Sequence, residues 1–173
     1  MRVPIRTLIL AAAGCCAAAK ADAPASDLSR AADGAFKAML FATEDSRGFQ
    51  RAWEAPSHPP VPTVGSVRRG KPVYAMVVFA GCTAGNEGKC DVEAEFTLLD
   101  PKGRPFHKPQ TAVLWSEPPP ADNVHLSPAA VEINVDSGAS LGTYTLRALV
   151  TDKVAQKTLT VERPLAAMGG GSD

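Results

Sequence analysis

Cys82 and Cys90 are the side chains whose type and spacing point most directly to a covalent event. They bracket a Gly-rich polar stretch, and two such thiols pair with each other in an oxidising compartment. A metal or redox pair is the alternative, but the two are not in a CxxC arrangement and no histidine stands within a few residues of either. In the chain-entropy model, closing a loop of about 9 residues stabilises by roughly 2.6 kcal/mol, a local staple rather than the foundation of a fold.

The imidazoles are His58, His107 and His125, each in a Pro-rich or polar stretch. Zinc or copper needs three or four converging ligands, and no pair here has the spacing of such a site. His107 and His125 would become candidate ligands only if their loops meet. Nucleophilic chemistry has no signature either: there is no Gly-x-Ser-x-Gly and no Ser-x-x-Lys. Asp91, Glu93 and Glu95 are spaced by two, so on a strand they form one solvated face, which also discourages edge-to-edge association. Trp115 precedes the run Pro118-Pro119-Pro120. It is read as a core residue, with the alternative that it anchors a binding surface.

The N-terminus decides the compartment. Arg2 and Arg6 precede the short apolar run Thr7 to Ala19, and Ala19-Lys20-Ala21 offers small residues for cleavage, the pattern of a removed signal peptide. The run is too short and too alanine-rich to span a bilayer, which takes about 20 apolar residues. Ala12-Ala13-Gly14-Cys15 also resembles the lipobox of bacterial lipoproteins, departing from it where Ala12 replaces the usual leucine. That resemblance implies lipidation at Cys15 as the alternative to cleavage after Ala21. Removing residues 1–21 leaves a net charge of −3. Such a chain lacks the clustered cations that hold nucleic acid or anionic lipid, so membrane contact is expected only through a lipid anchor.

The remainder, 45% hydrophobic and 21% charged over the whole chain, has the balance of one folded domain. Residues 22–35 lack periodicity and are expected to be a flexible linker, with the domain over 36–165 and a disordered tail over 166–173. Phe36 to Ala42 suggests a first strand, followed by a short helix capped by Asp45 or Ser46 with Phe49 and Trp53 on one face. Gly48 weakens that helix, and the four prolines of 56–62 demand an extended loop.

From there the pattern is strand. Val73 to Ala80 is apolar enough to be buried on both faces. Asp91 to Leu99 alternates, with Val92, Ala94, Phe96 and Leu98 inward. Ala112 to Trp115 and the alternating Val131, Ile133 and Val135 are further strands. A hairpin of Gly142 to Thr151 with Leu159 and Val161, turning over Asp152 to Lys157, ends the series. Some seven short strands with frequent turns predict an all-β, antiparallel sandwich with a short N-terminal helix.

The stretch Leu141-Gly142-Thr143-Tyr144-Thr145-Leu146-Arg147-Ala148 resembles the penultimate strand of immunoglobulin-like domains in small bacterial exported proteins. The resemblance spans about Val61 to Glu162. It implies that the Tyr144 hydroxyl caps the preceding turn. The cysteines flank one hairpin instead of bridging two sheets, so nothing antibody-like follows.

The function expected is a non-catalytic, periplasmic or envelope-associated binding module that recognises another macromolecule, an envelope or secreted protein, through its loops. The candidate residues are Thr83, Asn86, Glu87 and Lys89 of the disulfide loop, with His58, Trp115 and Pro119 of the Pro-rich segments. No cofactor is expected. The rival reading is a periplasmic carrier of a small ligand or of copper or zinc built on His107 and His125, and a hydrolase would need a serine or acid beside a histidine. The intact mass of the exported protein is expected to place its first residue at Asp22, whereas a lipidated start at Cys15 would make it a membrane-tethered lipoprotein.

Overall fold

The computed structural model describes residues 27–57, 59–121 and 124–169; the leader, Cys15 and His58 therefore lie outside the described residues. The strands are β1 (Arg30–Asp33), β2 (Phe36–Thr43), β3 (Ser66–Arg68), β4 (Pro72–Ala80), β5 (Val92–Leu99), β6 (Gln110–Trp115), β7 (His125–Asn134), β8 (Gly142–Asp152) and β9 (Lys157–Met168). One helix, α1 (Ser46–Glu54), follows β2. It follows β2, as the sequence reading placed it after the strand beginning at Phe36; β1 ahead of that strand is the addition. The strands form two sheets, ordered β1-β2-β4-β7 and β3-β9-β8-β5-β6.

A shared core lies between the sheets. Alternation delivers it: Phe36, Ala38 and Leu40 of β2 and Val73, Ala75, Val77 and Phe79 of β4 face Val92, Ala94 and Phe96 of β5 and Leu146, Ala148 and Val150 of β8. The other face of β4 carries Met76 and Val78, which pack with Phe49 of α1 and Leu126 of β7. The four-stranded sheet is therefore covered on both sides, which is why Val73 to Ala80 is apolar at almost every position.

Of the two caps the sequence offered, Asp45 and Ser46, the helix uses the first. Asp45 is the N-cap, and its side chain accepts from the Gly48 amide at 2.8 Å. Gly48 has a local reason, because a Cβ there would lie 2.3 Å from the Asp45 carboxylate that makes the cap. Phe49 is fully buried and its ring meets Phe41 at 5.4 Å.

Two boundaries differ from the sequence reading. Residues 30–33, expected within a linker, pair antiparallel with β2 from Arg30↔Met39 to Asp33↔Phe36. Their order comes from backbone pairing, which needs no apolar side-chain pattern. Leu28 and Ser29 continue it, accepting from Glu162 and Leu40. At the other end β9 reaches Met168, into the expected tail, with Leu165 and Ala167 buried. Alanines carry little apolar signal, but Ala166 and Ala167 pair with Thr143 and Gly142 on one side and with Ser66 and Val67 of β3, in parallel, on the other.

Strand β7 begins earlier than its alternating residues suggest, and runs through Pro128. It is the outer strand of its sheet, and Pro128 falls where the β4–β7 register shifts between Met76 and Val78. Both circumstances excuse a missing amide. The acidic residues of β5 point outward as expected, yet β5 sits inside its sheet between β8 and β6, so they guard no edge. Glu93 instead hydrogen-bonds Lys153, which holds that ammonium pKa above its ordinary value, with Asp91 adding a weaker pull.

Two devices fix the β8 ends. The Tyr144 hydroxyl donates to the Ser140 carbonyl at 3.0 Å, the turn-capping contact the resemblance implied. Asp152, with no exposed surface, accepts from Thr83 at 2.8 Å, Val154 at 3.0 Å and Ala155 at 3.1 Å. Replacing it by alanine strands three backbone donors, so Asp152→Ala is expected to cost about 2–4 kcal/mol, read as a lower denaturant midpoint at unchanged slope; a loss within about 0.5 kcal/mol would show the carboxylate to be dispensable.

Candidate functional site

A groove of about 1150 Å³ opens on the outer side of the four-stranded sheet. One wall is the C-terminal half of α1, with Gln50, Trp53 and Glu54; Pro59 and Val61 of the Pro-rich segment continue it. Trp115 at the end of β6 and residues 124–128 at the start of β7 form the opposite side. Helical spacing explains the first wall. Phe49 sinks into the sheet while Trp53, one turn later, packs beside it and keeps part of its surface on the groove.

The opposite wall is a stack of rings. His125 lies 4.1 Å from Trp115 and 5.7 Å from Phe79, both edge-on, so the imidazole joins the groove wall to the core. The Trp115 indole N–H donates to the Pro118 carbonyl at 2.9 Å. Trp115 is thus partly buried against the core and also lines the groove.

Cys82 and Cys90 are bonded, with Cα atoms 6.0 Å apart. Gly81 turns the chain from β4 into this loop at φ 69°, and a Cβ there would stand 2.1 Å from the Ala35 carbonyl oxygen, so only glycine fits. Of the loop residues proposed for binding, Thr83 gives its amide to Asp152 and Lys89 pairs with Glu117 at 3.5 Å. Asn86 and Glu87 are exposed at the tip, as is Pro119 in its own loop. None of these five lines the groove.

His107 and His125 do not meet. His125 opens β7, whereas His107 bonds the carbonyl of Asn134, which closes it, at 3.1 Å. The β4 residues paired with those ends, Phe79 and Pro72, are seven steps apart, about 23 Å. Among the described residues no three His, Cys, Asp or Glu side chains cluster as a metal site would require. Trp53, Val61 and Leu126 were not singled out in the sequence as site residues. The spacing of Phe49 and Trp53 was the available signal, but helical periodicity marks a covered face without saying whether its last ring stays open.

Adding copper or zinc to the protein is expected to leave its melting temperature within about a degree, since an ion stabilises only by occupying the folded state. A rise of many degrees with either ion would restore the carrier reading.

No family model and no curated protein sequence matches the chain. Among solved structures it is similar to a family 123 glycoside hydrolase from Clostridium perfringens, at 11% identity and a TM-score of 0.45, over 78% of this chain and 27% of that one. It thus spans about a quarter of the hydrolase. A Niemann-Pick type C2 protein from the Japanese carpenter ant aligns at 11% identity and a TM-score of 0.39, over 75% and 89% of the two chains. An immunoglobulin-like protein from Pseudomonas aeruginosa aligns at 13% and 0.34, over 83% and 99%. Likenesses this distant say nothing about ligand or activity.

Proposed function

We propose that the protein is an exported, periplasmic or envelope-associated immunoglobulin-like sandwich that binds a segment of another envelope or secreted protein, without catalysis. The observation that carries this reading is the groove, where Trp53, Trp115, Val61 and Leu126 present aromatic and apolar surface on a frame of sheet and helix. Partly exposed aromatics converging from separate elements are the usual anchors of a recognition surface. The polar residues in the lining, Gln50, Glu54, His125 and Ser127, are few.

Among the described residues the groove is lined by one carboxylate, Glu54, and by one serine, Ser127, whose hydroxyl oxygen accepts from the Ala129 amide. Export is supported by the leader pattern and by the Cys82–Cys90 bond.

A photoreactive side chain at Val124, which is exposed and lines the groove, is expected to crosslink a discrete envelope protein in living cells. The same probe at Thr160, exposed on the outer face of the other sheet, is expected to capture nothing. Trp53→Ala should suppress the Val124 adduct about 10-fold while the domain keeps its melting transition. Equal capture at both positions, or an adduct indifferent to Trp53→Ala, would remove the groove from the reading.

A further inference from the structure

We infer that the Cys82–Cys90 loop is a brace that holds the Trp115 wall of the groove, rather than a surface that grips the partner. This rests on the groove being the binding site and assigns the bridge its part in it. Several of the loop's backbone groups are bonded within it or to its neighbours, while Asn86 and Glu87 stay exposed at its tip. Within it, Gly85 donates to the Lys89 carbonyl at 2.8 Å and Gly88 to the Gly85 carbonyl at 2.9 Å. At its exit the Cys90 amide donates to the Glu117 carbonyl at 3.0 Å, and the Lys89 ammonium reaches the Glu117 carboxylate. At its entrance Thr83 is tied to buried Asp152.

Glu117 lies between the two ends of the Trp115 tie, because the indole N–H of Trp115 donates to the carbonyl of Pro118. Segment 115–118 is therefore held from within by that bond and from outside by Cys90. Trp115 needs the outside hold. It ends the outermost strand of its sheet, and its pairing with Val92 falls at a shift of register between Val92 and Glu93. The sulfur atoms contribute by fixing where Cys90 stands: both cysteines are buried, and the intervening residues are glycine-rich and exposed. Without the bond, a loop of such residues gains many conformations and the Glu117 carbonyl loses its donor.

The test reads Trp115 directly and needs no ligand. In a Trp53→Phe background Trp115 is the sole tryptophan, and the paired change Cys82→Ser and Cys90→Ser is expected to raise its lifetime-corrected acrylamide quenching rate about two-fold through local opening. In a Trp115→Phe background the same pair should leave Trp53 quenching unchanged. A folded double-serine protein with unaltered Trp115 quenching overturns the brace, as does an equal rise at Trp53. If that protein loses its cooperative melt, hydrogen exchange in the unaltered protein decides instead: the Cys90 amide and Trp115 indole proton should exchange at least about 100-fold more slowly than in a free peptide, and free-peptide rates overturn the inference. Crosslinking at Val124 with an unperturbed Trp115 removes the brace alone, whereas a loosened Trp115 without crosslinking at Val124 removes only the groove.

Discussion

The carboxylate of Asp152, buried at the end of β8, accepts from Thr83 at the root of the disulfide loop and from Val154 and Ala155 in the β8–β9 turn. One anion thereby satisfies three amides that have no strand partner, and in doing so joins a loop of the four-stranded sheet to a hairpin of the five-stranded one. A buried carboxylate is tolerable only when donors replace its lost water, and here they are backbone groups that need an acceptor equally. The neighbouring bond from Lys153 to the Asp91 carbonyl fastens the same hairpin to the far side of the loop. The position of the bridge, and through Glu117 that of Trp115, depends on this junction.

The groove follows from how the four-stranded sheet is covered. Phe49 and its neighbours lie over Met76, Val78 and Leu126, but α1 is only nine residues long and ends at Glu54. The chain then leaves in a proline-rich segment that can neither extend the helix nor join the sheet. Beyond the last helical turn the start of β7 lies under Trp53, Pro59 and Val61 without closing on them, and the register shift beside Pro128 sets that end of the strand off from the ladder. The opening is thus where a short helix runs out over a longer strand.

The opposite end of β7 shows how similar residue types serve a different purpose. The Gln110 side chain donates to the Glu132 carbonyl and the His107 ring meets the Asn134 carbonyl, so two side chains from β6 and its approach occupy acceptors on an outer strand. Occupied edge groups do not recruit another chain. His107 is an edge cap with its ring against Phe106, and His125 is a spacer between core and groove.

Period-two alternation in Asp91 to Leu99 and Gly142 to Thr151, the doubly apolar β4, a helix cap at Asp45 or Ser46 and the pairing of Cys82 with Cys90 were legible in the sequence. Each depends on neighbours a few residues away, and local geometry dictates which face a side chain takes. The extra strands β1 and β3, the last turn of pleat through Ala167, and the start of β7 at His125 were not, because they are held by backbone bonds to segments far along the chain. The same reason separates the site from its parts. Composition named Trp115 and the prolines as candidates, but only tertiary packing brought Trp53, Val61 and Leu126 beside Trp115, sent His107 and His125 to opposite ends of one strand, and turned the disulfide loop inward onto Glu117. Contacts between residues tens of positions apart leave no period in the sequence; they exist only once two sheets have closed on a common core.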